Sequence, residues 1–156
     1  MNPEELKVHE RFLRRCIELS VTAIQHGNQP FGSVLVKDGE IILEAENTIY
    51  SECDCTGHAE TNVVRQASMK FDKDVLEQST LYTSTEPCVM CCGAIYWAGI
   101  PRMVYACSAY ALKELIGDSL LIPSQEVLER GVRKTEILGP ILEEESLVVH
   151  RDYWFK

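Results

Sequence analysis

The sequence predicts an α/β fold, a three-layer α/β/α sandwich around a five-stranded mixed sheet, as one domain over residues 1–156. Two observations predict it. Segments rich in β-branched and aromatic residues alternate with segments of helical period, in the order helix, hairpin, helix, strand, helix, strand, helix, strand, helix. The first two strands are joined by a tight turn and must be antiparallel, whereas the later strands are separated by helices and are free to run parallel. No internal repeat, low-complexity run or linker interrupts the chain.

The elements follow from local chemistry. Asn2 can cap a first helix whose opening turn holds Pro3, Glu4 and Glu5. Leu6, Phe12, Leu13, Cys16, Ile17, Leu19, Ala23 and Ile24 recur near helical period, and Gly27 stops the helix. Cys16 lies on that stripe and reads as core packing. Residues 31–36 form a strand, Lys37-Asp38-Gly39-Glu40 a turn, and residues 41–45 the return strand at one sheet edge. Asn47, directly after it, reads on its own as a turn former.

Residues 51–57 are a polar loop holding Cys53 and Cys55, and the loop runs directly into His58, which places it beside the mouth of any site that His58 helps to build. A helix is expected over 58–69, a strand over 80–84, and a helix from Pro87 to about Ala98, broken by Gly99-Ile100-Pro101. Residues 102–107 form the next strand, parallel to 80–84. Helix over 108–115, a turn at Ile116-Gly117-Asp118-Ser119, a helix over 124–130 capped by Ser124 and closed by Gly131, a strand over 136–138 and a helix over 143–155 complete the order. Tyr153, Trp154 and Phe155 are too apolar to be left in water and should dock on the body or a partner subunit.

Two short segments carry the chemistry. Gly57-His58-Ala59-Glu60 opens one helix, and Glu86-Pro87-Cys88-Val89-Met90-Cys91 opens another. One imidazole and two thiolates suit Zn²⁺, and three protein ligands leave the fourth tetrahedral corner open for water. Water held there gives up a proton near neutral pH. Glu60, two residues from His58, is the candidate to carry that proton. Cys88 and Cys91 share one face of a helical turn, and a helix start lowers the pKa of thiols placed on it. Cys92 is turned about 100° from Cys91 and reads as packing.

Other readings stay open on the residues alone. A redox Cys-Val-Met-Cys pair leaves His58 and Glu60 unexplained. A structural zinc needs a fourth protein ligand, for which Cys53, Cys55 and Cys92 are the candidates. A binding module would keep the metal without turnover.

His-x-Glu followed by Pro-Cys-x-x-Cys is the established signature of the zinc nucleobase deaminases. The chain resembles the cytidine/deoxycytidylate deaminase superfamily over about residues 30–107. The resemblance is carried by Pro30-Phe31-Gly32, Asn47, His58-Ala59-Glu60, Thr80-Leu81-Tyr82-Thr83, Glu86-Pro87-Cys88-Val89-Met90-Cys91 and Gly93-Ala94-Ile95-Tyr96-Trp97. Within that superfamily the chain is most similar to the small nucleobase deaminases, guanine deaminase above all.

The resemblance implies one Zn²⁺ per chain on His58, Cys88 and Cys91, and Glu60 as the catalytic acid and base. It implies substrate contacts from Phe31, Asn47, Ala59, Trp97 and Asp118, the last by a looser match to an acidic residue followed by Ser. The implied reaction is hydrolytic deamination of a nucleobase or nucleoside with release of ammonia, in a homodimer. Guanine or a related amino-purine is the first substrate expectation, from Phe31, the Ala94-Ile95-Tyr96-Trp97-Ala98 block and Asp118. Cytosine is second, from Gly99-Ile100-Pro101-Arg102 and the terminal Tyr153-Trp154-Phe155, and tRNA adenosine is third. Gly57 and Thr61 depart from the guanine enzymes, where small apolar residues are commoner, and leave a less usual amino-purine, nucleoside or triazine open.

Composition narrows the partners. Fifteen Lys and Arg against 24 Asp and Glu give a net charge of −9, which repels a phosphate backbone and weighs against a nucleic-acid partner. No stretch is apolar and long enough to span a bilayer. The acidic start, Met1-Asn2-Pro3-Glu4-Glu5, is not that of a signal peptide. With seven cysteines, this reads as a cytoplasmic chain with reduced thiols rather than a disulfide framework.

Overall fold

Helix α1 (Pro3–Gln25) begins where Asn2 allows it to. Asn2 Oδ1 accepts the Glu5 amide at 2.9 Å and Glu5 Oε2 accepts the Asn2 amide at 3.2 Å, a reciprocal cap for two amides without helical partners. The helix runs out at His26, and Gly27 takes the left-handed conformation at φ +85°. Phe12, Leu13, Cys16, Leu19 and Ala23 form its buried stripe. The structure, a computed structural model, describes residues 1–117 and 119–156.

Strands β1 (Gly32–Lys37) and β2 (Glu40–Glu46) make the expected hairpin. Asp38 and Gly39, between them, have φ of +52° and +75°, the turn geometry whose twist suits two paired strands. The ladder runs from Gly32 opposite Glu46 to Lys37 opposite Glu40. It therefore takes in charged ends that polarity alone assigned to the turn.

The chain continues through α2 (Ala59–Lys70), α3 (Lys73–Glu77), β3 (Thr80–Thr85), α4 (Val89–Ala98), β4 (Arg102–Cys107), α5 (Ala109–Ile116), α6 (Ser124–Leu128), β5 (Glu136–Leu138) and α7 (Glu143–Trp154). Two expectations need correction, and one helix has no counterpart among them. Helix α3 was not foreseen, because five residues are too few to show a period; burial of Leu76 holds it. Pro87 does not open α4: Cys88 is the cap and Val89 the first helical residue. Ser124 does not cap α6 either, since Pro123 takes that place and the Ser124 side chain is used elsewhere.

The sheet order is β2-β1-β3-β4-β5. β1 is antiparallel to both neighbours, while β3–β4 and β4–β5 are parallel, so the sheet is mixed as expected. Side chains alternate between its faces. Val34, Val36, Tyr82, Val104 and Ala106 pack with α1 on one face. Leu35, Leu81, Met103 and Tyr105 pack with α2 and α4 on the other. α7 lies on the α1 side and α6 beside α4, which completes the three layers of the predicted sandwich. Among the described residues no helix is long and apolar enough to cross a membrane.

At Gly32 α1 crosses β1 closely. A Cβ there would sit 2.3 Å from the Cys16 carbonyl oxygen and 2.6 Å from Leu19 Cβ. The Gly32→Ala protein is expected to be less stable by about 1–3 kcal/mol in urea denaturation, because the clash is with backbone that cannot rotate away; stability within 0.5 kcal/mol of wild type, roughly the spread of neutral surface changes, would refute the contact.

Candidate metal centre and active site

The two motif segments meet because α2 and α4 pack side by side with their N-termini together. His58 caps α2 and Cys88 caps α4, both with extended backbone. Cys91 lies in the first turn of α4 and is buried. His58 Nδ1 stands 3.6 Å from Cys88 Sγ and 3.6 Å from Cys91 Sγ. All three donor atoms lie within 4.8 Å of one another.

That spacing can be tested against an ion. Zinc bonds of about 2.3 Å to sulfur and about 2.0 Å to nitrogen at the tetrahedral angle put N and S about 3.5 Å apart. The residues fit zinc in chemistry and in distance. Among the described residues no fourth His, Cys, Asp or Glu lies within reach of all three. Cys92, a candidate for that place, is buried in the core with its thiol donating to the Pro87 carbonyl at 3.4 Å. Cys53 is exposed and turned to the Tyr50 carbonyl.

His58, Glu60, Cys88 and Phe31 line a cavity of about 610 Å³. It lies off the carboxyl ends of the parallel strands β3 and β4, where α/β sheets place ligands. Glu60 is 5% exposed, and burial pushes its carboxyl up to about 7, with the adjoining Cys88 sulfur adding to the rise. Cys88 moves the other way. The Cys91 thiol, and then His58, hydrogen-bond to it and bring its thiol down to about 4. The cavity floor thus pairs a stabilised thiolate with a carboxyl that titrates near neutrality.

The other expected contacts divide. Ala59 is fully buried between His58 and Glu60 and is not part of the cavity wall. Asn47 is 1% exposed; its Oδ1 accepts the Ile49 amide at 3.1 Å, and its backbone N–H donates to the Phe31 carbonyl at 3.0 Å. It therefore makes the turn that its type suggested, and it ties that turn to the wall residue Phe31. Trp97 stands away from the cavity, 85% exposed. With Cys91, Cys92 and Ile95 facing inward, a residue two past Ile95 is carried about 200° round the helix to the outside. Asp118 lies outside the described residues.

Several side chains build the site in roles that the sequence does not signal. Glu86 is a buried carboxylate that receives the Ala109 amide at 2.9 Å, the Ser124 amide at 2.8 Å and the Ser124 hydroxyl. It fastens the starts of α5 and α6, which bracket the far wall of the cavity. Asn28, 1% exposed, accepts the amides of Tyr50 and Ser51 at 3.0 Å each. Asn62 donates to the Glu46 carbonyl and the Thr48 hydroxyl at 2.9 Å each. Together they hold the 48–57 loop, whose Cys55 reaches the cavity as expected. Gly57 and Thr61 serve the same loop. Thr61 donates to the Thr56 carbonyl at 2.6 Å, and a Cβ at Gly57 would meet Thr48 Oγ1 at 2.8 Å.

α7 is pinned along one stripe. Glu143 accepts the Ser108 amide at 2.8 Å, Ser146 donates to the Ser84 carbonyl at 2.7 Å, His150 Nε2 meets Thr85 Oγ1 at 2.8 Å, and Trp154 reaches the cavity. Of the terminal aromatics, Trp154 docks, with its Nε1 donating to His150 Nδ1 at 3.1 Å, while Phe155 is 64% exposed. Spacing could have signalled this stripe, since residues 143, 146, 150 and 154 follow helical period, but their polar types hid it.

Comparison with known proteins is consistent with this geometry. Residues 6–107 match the family described as the cytidine and deoxycytidylate deaminase zinc-binding region. The chain is 37% identical over 148 residues to a probable cytosine deaminase of Schizosaccharomyces pombe, covering 92% of this chain and 90% of that one. It is 44% identical over 99 residues to guanine deaminase of Bacillus subtilis, covering 63% of this chain and 64% of the relative. A crystal structure with 2,6-diaminopurine bound superposes with a TM-score of 0.80 at 25% identity, over 93% of this chain and 80% of the other.

The buried histidine makes a testable contribution to stability. Burial pushes the His150 pKa from 6.5 down to about 4, so the unfolded chain binds a proton between those values and the fold does not. Stability is expected to be full above pH 6.5 and to fall by about 3 kcal/mol as the pH drops toward 4. Denaturation midpoints across that range should decline more steeply for wild type than for His150→Gln; parallel declines would remove His150 as the cause.

Proposed function

The chain belongs to the family built on the cytidine and deoxycytidylate deaminase zinc-binding region, and from that premise we propose that it hydrolyses the amino group from a free heteroaromatic base, guanine or a related amino-purine first. The observation that carries the proposal is one cavity lined at once by His58, Cys88 and Glu60. Three metal donors alone serve a structural or a binding role equally well. A buried carboxyl titrating near 7 beside them is what hydrolysis needs and binding does not.

His58, Cys88 and Cys91 would hold one zinc per chain, whose Lewis acidity makes water acidic enough to ionise near neutral pH. Glu60 would take a proton from the attacking water and pass it to a ring nitrogen as the water oxygen bonds to the amino-bearing carbon, then move the proton of the hydroxyl so formed to the amino group, which leaves as ammonia while the carbonyl forms. Its place in a buried cavity beside His58 and Cys88 suits a carboxyl that both takes and gives a proton. Phe31 and Trp154 offer flat apolar surfaces against which a planar ring can lie.

Two points favour a purine: the 44% identity to the Bacillus guanine deaminase and the 2,6-diaminopurine in the structural relative. Cytosine is the second reading, favoured by the relative that matches 92% of the chain. The net charge of −9 weighs against tRNA. The outward face of α4, with Trp97 in solvent, supports a homodimer through that helix, an aromatic anchor of the kind interfaces prefer.

Ammonia release should be screened over guanine, cytosine, adenine, their nucleosides and triazines. Guanine or another amino-purine is expected to turn over fastest, with one zinc per chain by elemental analysis. Glu60→Gln is expected to keep the zinc and lose about 10²- to 10⁴-fold in kcat, and Cys88→Ala to lose the zinc. Undiminished turnover in Glu60→Gln would overturn the mechanism, and turnover of cytosine alone would replace the substrate.

A further inference from the structure

The deaminase reading of the cavity leaves open which groups recognise the base, and a chain of hydrogen bonds from α7 supplies one. The chain starts at Trp154. An indole N–H can only donate. Trp154 Nε1 lies 3.1 Å from His150 Nδ1, so Nδ1 accepts and carries no hydrogen. An imidazole with one bare nitrogen is neutral and has its hydrogen on the other. His150 Nε2 lies 2.8 Å from Thr85 Oγ1 and therefore donates to it. The ring is 1% exposed, and burial independently favours the neutral form.

The Thr85 hydroxyl thus accepts from the histidine and keeps its own hydrogen. Among the described residues that hydrogen has no protein acceptor. Thr85 is 4% exposed and lines the cavity with Glu60 and Cys88. A hydroxyl without this wiring could rotate to accept from an amino group or donate to a carbonyl. Here the indole at the far end of the chain fixes its polarity.

Resting on the deaminase reading, we infer that Thr85 is a specificity-determining residue that donates its hydroxyl hydrogen to an acceptor on the bound base, with His150 and Trp154 as the positioning residues that orient it. The acceptor is a ring nitrogen or an exocyclic carbonyl oxygen. A base presenting an N–H at that point would face a donor with a donor.

Two measurements test this. Nitrogen-15 NMR of His150 needs no turnover. The wild type is expected to show the neutral Nε2–H tautomer at pH 7, and Trp154→Phe a mixture of tautomers. An Nδ1–H form or an imidazolium in the wild type overturns the inference, and so does an unchanged spectrum in Trp154→Phe.

The second measurement compares guanine and cytosine with their deaza analogues, and with 2-aminopurine and 4-aminopyrimidine, which lack the carbonyl oxygen, in wild type, Thr85→Val and Thr85→Ser. Thr85→Val is expected to lose about tenfold to hundredfold in kcat/KM on the parent base and nothing on the one analogue that lacks the acceptor. Thr85→Ser is expected to restore the discrimination. A valine variant that loses nothing, or loses equally on every analogue, overturns the inference. If wild type releases ammonia from no base, the deaminase reading fails by itself; dissociation constants of the same bases by calorimetry then decide on Thr85 by the same pattern.

Discussion

The site depends on two helices starting at the same place. An α-helix N-terminus carries a partial positive charge and bare amides. Two of them facing each other repel a cation, so the donors placed there have to reverse that sign. The motif residues do so, with a cap from α2 and a cap and a first-turn residue from α4. The charge that opposes the metal also favours thiolate over thiol, and at Cys88 the thiol is brought down to about 4, first by its hydrogen bond with Cys91. His58 and the two sulfurs are set by the packing of α2 on α4, and that packing by the small and apolar residues buried between them.

Two glutamates near this meeting point show how surroundings divide one side chain into two uses. Glu86 accepts two amides and a hydroxyl and holds two helix starts in place. Glu60 is more deeply buried yet has fewer donors, so its charge is poorly compensated and its carboxyl holds a proton more tightly than an exposed glutamate does. The well-bonded carboxylate builds the wall and the poorly bonded one is left to react. Neither role follows from residue type, since both lie in short motifs that open helices.

The sequence made the sandwich and the metal donors legible because both rest on local pattern. The β-branched and aromatic content of β1, β3 and β4, the stripe of α1 and the capping at Asn2 are properties of neighbours in the chain. The His-x-Glu and Pro-Cys-x-x-Cys spacing works through single helical turns. Contacts that join distant segments were not legible. Nothing near Glu86 in sequence points to Ser124, and nothing near Asn28 points to Tyr50. Trp97 shows the converse: its block suggested substrate, but the angular position on α4 is set by which neighbours the core takes in, and Cys91, Cys92 and Ile95 took that side. The short α3 has no pattern long enough to read.

The stripe that binds α7 has a consequence for how this chain can vary. Its anchors are directional polar bonds to Ser108, Ser84 and Thr85, not a greasy surface that tolerates sliding. Adding or deleting one residue between Glu143 and Trp154 would turn every later anchor by about 100° and strand its partner without a bond. The spacing of this helix is therefore under tighter restraint than its residue types: exchanges on its outer side are cheap, whereas a single-codon insertion would unlatch one wall of the cavity.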